Sequence, residues 1–162
     1  MEADELPVEV FTELGRVTWA AIRLEDYTES VCQCVDPHNP RTDHRQIGRK
    51  VKEATATLHT WPPSRPRDDA LAWLARATAA LDRRNAILHA TPVVLLGAPG
   101  SQPTQMLGAM PRKGSAYTQH PLTADHLGGL EATLRGATQG WMDVQLAASE
   151  ECSRPRSVQR GQ

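Results

Sequence analysis

The chain has 162 residues and a formal net charge of −1, from 18 Lys and Arg against 19 Asp and Glu. That length suits one domain with a real core, and a charge so near zero excludes a wholesale electrostatic pull towards nucleic acid or a membrane surface. Aromatic residues make up only 4% while alanine and leucine dominate, as in helix-rich chains.

The charge is unevenly placed. Residues 1–30 carry eight acids against Arg16 and Arg23, whereas residues 41–52 carry five bases against Asp43, and Arg154, Arg156 and Arg160 follow near the end. The acidic first residues do not resemble a secretory leader, and no apolar run has the length of a membrane span. Three cysteines are too few for a disulfide framework. A cytoplasmic setting with no membrane contact is expected.

Taken in order, the first helix is predicted from about Leu6 to Val35. Val10, Leu14, Val17, Ala21, Leu24, Thr28, Val31 and Val35 alternate four and three apart, a long narrow seam for another helix. Trp19 lies off that seam, free for a second helix or a partner. Asp36–Pro40 reads as a loop.

The second helix is predicted from about Asp43 to Thr60, with Ile47, Val51, Ala54 and Leu58 on its apolar face. Arg41, Arg45, Arg49 and Lys52 form a basic row along it, placed for contact with an RNA backbone or with solvent. Trp61–Pro66 stops that helix, and the third is expected to begin at Asp68 or Asp69. Its main stripe is Leu71, Leu74, Thr78, Leu81, Asn85 and Leu88. A second face, with Trp73, Ala77, Ala80, Arg84 and Ile87, is one that a dimer could bury.

Residues 91–121 are rich in Gly and Pro and are predicted to form an irregular excursion, with Val93–Leu96 and Gln105–Met110 short enough for a hairpin. Arg112 and Lys113 there are further candidates for phosphate contact. Thr123 is the expected cap of the last helix, whose seam continues through Leu127, Leu130, Leu134, Ala137, Trp141, Val144 and Ala148. The expectation is an all-α bundle of four long helices, with the excursion before the last. Residues 1–150 would form a single helical domain and 151–162 a disordered basic tail.

Arg84, Asn85 and His89 form a polar, ionisable cluster at the end of an otherwise apolar helical pattern, stopped by Pro92. Such departures from core patterning gather at functional sites. An arginine, a polar residue, three more residues and a histidine resemble the signature of the HEPN superfamily, small all-helical domains that include homodimeric, metal-independent ribonucleases. The resemblance implies a homodimeric endoribonuclease needing no cofactor, a toxin or defence component held by an inhibitory protein partner. Arg84 would then stabilise phosphate charge, His89 would move protons, and Asn85 would orient the group. The position two residues after the histidine is Thr91, where one subgroup of the family carries a tyrosine, so that subgroup's nucleotidyl-transfer chemistry is not implied.

The residue types suit this chemistry on their own terms. A histidine can take the proton from a 2′-hydroxyl or give one to the leaving oxygen near neutral pH, and a guanidinium grips the phosphate oxygens where charge develops. One histidine per chain is thin for two proton transfers, which a two-fold dimer would answer.

Two other readings stand beside it. A non-catalytic helical module binding a protein partner or a nucleotide would leave His89 as a satisfied residue at the negative end of a helix dipole. A small metal-binding regulator could use Cys34, His38 and His44. However, Cys32 and Cys34 lie about 200° apart on a helix and cannot both face one ion, so no metal is expected.

Overall fold

A computed structural model of the protein describes residues 6–37, 46–88, 91–95, 104–109 and 118–153. The fold is all-α with a small antiparallel sheet between its third and fourth helices. The order is α1 (Val8–Val35), α2 (Ile47–Thr60), α3 (Arg65–Leu88), β1 (Thr91–Leu95), β2 (Thr104–Ala109), β3 (Thr118–Pro121), α4 (Ala124–Ala137) and α5 (Trp141–Ser153). Among the described residues, no helix is long and apolar enough to cross a membrane. Of the predicted tail, Glu151–Ser153 complete α5, and residues 154–162 lie outside the described residues.

The chain divides into two compact units, with residues 1–24 and 79–137 in one and 25–78 and 138–162 in the other. In the first unit, α1 contributes Val10, Val17, Ala20, Ala21 and Leu24 to the core, α3 contributes Ala80, Leu81 and Ile87, and α4 contributes Leu127, Leu130, Leu134 and Ala137. Thr123 caps α4 as expected, its Oγ1 accepting the His126 amide at 3.3 Å. The sheet order is β1-β2-β3. Thr91 to Leu95 pair with Gly108 to Thr104, as the hairpin reading expects. β3 is a third strand beyond the expected hairpin, and its His120 lies opposite Leu107.

In the second unit, α1 buries Thr28, Val31, Cys32 and Val35, α2 buries Ala54 and Leu58, and α3 buries Ala70, Trp73, Leu74 and Ala77. α3 begins at Arg65, ahead of the expected Asp68, because Ser64 Oγ accepts the Arg67 amide at 3.4 Å and Pro66 falls in the first turn, where its missing N–H costs nothing. Tyr27 stacks on Trp141 with ring centroids 4.2 Å apart and planes within 4°. Lys50 is buried, and its Nζ donates to Glu29 Oε1 at 2.7 Å.

The expected last helix is divided. Gly140 has φ +73°, the left-handed region that a side chain resists, and the chain turns there between α4 and α5. The turn is fixed by side chains of α3: Trp73 Nε1 donates to the Gln139 carbonyl at 3.2 Å and an Arg76 guanidinium nitrogen to the same oxygen at 3.0 Å. A second correction concerns α3. The face assigned to a dimer is used within the chain, since Trp73, Ala77, Ala80 and Ile87 are all buried.

Two stability predictions follow from these contacts. A methyl group on Gly140 would meet nothing within 4 Å, so Gly140→Ala carries only the conformational cost. It should lower unfolding free energy by about 1–2 kcal/mol in a denaturant titration. Glu29→Ala leaves the Lys50 ammonium buried without its carboxylate and should cost roughly 3 kcal/mol. Lys50→Met should cost far less, because the Glu29 side chain, at 26% exposure, can turn to water. Equal losses in the two variants would mean that Lys50 has a route to solvent.

Candidate functional site

The first unit holds a cavity of about 710 Å³, lined by α3, β3 and α4. α3 supplies Asp82, Arg83, Ala86 and Ile87 from its last turns, and α4 supplies Asp125, His126, Gly129, Leu130 and Thr133. β3 supplies His120. The volume lies in the range of small-ligand sites, and the lining mixes apolar residues with polar and charged ones.

Two imidazoles lie side by side in this cavity. His120 and His126 have ring centroids 5.6 Å apart, with planes tilted by 34°. Their backbone positions are set by unlike elements: pairing with β2 fixes His120, and the Thr123 cap fixes His126 in the first turn of α4. Burial holds the His126 pKa below its usual value, and the neighbouring His120 pushes it the same way. The positive end of the α4 dipole acts in that direction too. His126 is therefore held neutral, able to accept a proton, beside a second imidazole.

The residues singled out in the sequence are placed differently. Arg84 and Asn85 are half-buried on α3 and are not among the residues lining the cavity; the adjacent Arg83 is. The Arg84 Nε is itself buried and makes no hydrogen bond, while the side chain keeps a polar contact of its own. His89 lies outside the described residues, as do Arg41, Arg45, Arg112 and Lys113. Of the basic row, Arg49 and Lys52 are exposed, and Arg49 Nε donates to Glu53 Oε1 at 3.1 Å, one helical turn away. Both belong to the second unit, whereas the cavity belongs to the first.

Among the described residues, no group of three or more His, Cys, Asp or Glu is placed to hold a metal ion. His38 and His44 lie outside the described residues. Cys32 is a poor ligand in any case. Burial first, and then the Glu29 carboxylate, push its thiol up to about 12, so the thiolate that would bind metal is disfavoured.

Compared with known proteins, no family model matches the chain, and neither a curated protein nor a solved structure does. The reading of the site therefore rests on its own geometry.

The His pair gives a direct titration prediction. In an NMR titration, His126 should release its proton below the 6.5 of an ordinary histidine. His120→Ala should raise that midpoint only part of the way back, because burial is the larger cause. A folded-state pKa lowered in this way also gives stability that is present above the unfolded value and lost as pH falls through the folded one. An unshifted His126, or a complete return in His120→Ala, would contradict the assigned causes.

Proposed function

We propose that the protein is a metal-independent endoribonuclease whose proton-transfer groups are His120 and His126. The observation that carries this reading is the imidazole pair 5.6 Å apart in a cavity that also presents Arg83. His126, held neutral, takes the proton from the 2′-hydroxyl as that oxygen attacks the neighbouring phosphorus. His120, protonated, gives its proton to the departing 5′-oxygen. The products are a 2′,3′-cyclic phosphate and a free 5′-hydroxyl, and the pair ends with its proton moved from one ring to the other. Arg83 stabilises the charge gathering on the non-bridging oxygens. Acid and base then come from one chain, which removes the need for a second copy's histidine that the Arg84–Asn85–His89 reading carries.

A second reading is favoured by a specific feature of the same cavity. Ala86, Ile87 and Leu130 make part of its lining apolar, a surface suited to the flat face of a base. In that reading the protein binds a nucleotide without cleaving it, and the histidines contact its phosphate.

The test is end-group analysis of RNA incubated in EDTA with wild type, His120→Ala, His126→Ala and His89→Ala. The expected outcome is 2′,3′-cyclic ends with wild type, rates lower by about 10²–10⁴ in the His120 and His126 variants, and little change in His89→Ala. RNA methylated at the 2′-oxygen should resist. Loss confined to His89→Ala would transfer the chemistry to the Arg84–Asn85–His89 cluster. No cleavage by wild type, with nucleotide binding measurable by calorimetry and lost in His126→Ala, would establish the second reading instead.

A further inference from the structure

The first half of α1 leaves large apolar side chains in water. Val8 is 79% exposed, Phe11 57%, Trp19 64% and Ile22 51%. At 100° per residue these four positions fall within about 80° of the helix circumference, on one narrow face. Gly15 lies at the middle of that face, and a methyl group placed on it would meet nothing within 4 Å. The opposite side of the same helix is the core seam of Val10, Val17 and Leu24. α1 is thus apolar on two faces, and among the described residues only one of them is covered.

The order of residues on the open face says what fits it. The stripe reads the same in both directions about Gly15: Val8 and Ile22 are equidistant from it, as are Phe11 and Trp19. An antiparallel second copy of α1, related by a two-fold axis at Gly15, would set Val8 beside the partner's Ile22 level and Phe11 beside the partner's Trp19 level. Such self-complementarity is what an isologous two-fold interface requires. The glycine at the axis lets the two backbones approach closely where they cross.

Charge and area agree with this occupant. Glu9, Arg16 and Arg23 lie seven apart along one edge of the stripe, and two-fold antiparallel pairing brings the Glu9 of one copy near the Arg23 position of the other. Arg16 would approach its own counterpart at the axis, but its guanidinium is already neutralised by Glu13 Oε1 at 2.6 Å. From the exposed fractions, the four side chains offer on the order of 500 Å² of apolar surface per copy. That matches the largest apolar patch of a typical monomer, which is often a functional one, and, doubled, comes to about the 1,000 Å² that a biological interface should clear.

We infer that the protein forms a homodimer through this face of α1, antiparallel about Gly15. The inference rests on the surface of α1 alone and not on the nuclease reading. It also differs from pairing through the motif helix, whose second face the chain itself buries.

Light scattering of the full chain should give a dimer mass at micromolar concentration, and Trp19→Glu or Ile22→Glu should give a monomer with an unchanged helical circular dichroism spectrum. The register is tested by cross-linking in a Cys34→Ser, Cys152→Ser background with a short bifunctional maleimide. Gly15→Cys should form a covalent dimer, because the two residues meet at the axis. Val8→Cys should not, since its copies would lie about 14 residues, or roughly 21 Å, apart along the helices. A monomeric wild type, a dimer that survives both glutamate variants, or cross-linking at position 8 as efficient as at 15 would each overturn the inference. RNA cleavage can persist or vanish in the monomeric variants without bearing on it.

Discussion

One turn decides how the second half of the chain is used. The seam from Leu127 to Ala148 keeps a single heptad-like rhythm, and nothing in its apolar spacing calls for a stop. Gly140 supplies one, by adopting a φ of +73° that other residues resist. The freed Gln139 carbonyl then needs donors, and α3 provides two, from Trp73 and Arg76. The consequence is a division of labour. α4 gives Leu127, Leu130 and Leu134 to the unit that holds the cavity, while α5 gives Ala148 to the other. Unlike α1 and α3, which run on from one unit into the other, the last apolar seam is interrupted between them.

Periodicity made most of the helical architecture legible. The α1 seam is buried at Val10, Val17, Ala21, Leu24, Thr28, Val31 and Val35 as the four–three spacing requires, including the one polar step, while Leu14 is half-buried. Periodicity was weaker where a local contact competes with it. The α2 face includes Lys50, which no hydrophobic pattern would place in a core. It is there because Glu29, twenty-one residues earlier, meets it at 2.7 Å. α3 starts earlier than its apolar stripe suggests because a proline in a first turn is compatible with a capping Ser64. β3 carried no alternation long enough to detect, and its place is set by pairing with β2 rather than by its own residues.

The candidate site was legible only in part. The polar cluster at the end of α3 lies beside the cavity-lining Asp82, Arg83, Ala86 and Ile87, but Arg84 and Asn85 are not among the lining residues and His89 lies outside the described ones. Helix geometry explains the difference, because one residue turns the side chain by about 100°. The histidine pair was within reach. His120 and His126 flank the Thr123 cap, and a histidine three residues into a capped helix sits where the dipole favours its neutral form. What the sequence does not contain is the antiparallel pairing that brings His120 back against α4.

The same reasoning separates two kinds of apolar face. α3 carries more apolar residues than one packing surface needs, yet the chain buries both sets, Leu74 and Leu81 with Trp73, Ala77 and Ile87. α1 resembles it in pattern but not in outcome, because Phe11, Trp19 and Ile22 stay in water. Counting apolar stripes per helix therefore does not identify an interface; the supply of neighbouring elements decides which stripe is left. In the cavity-bearing unit the other described helical segments are α4 and the last turns of α3, and both already give side chains to the core or to the cavity. The open face of α1 is what that unit leaves uncovered, and a surface symmetric about its own glycine is best matched by a second copy of itself.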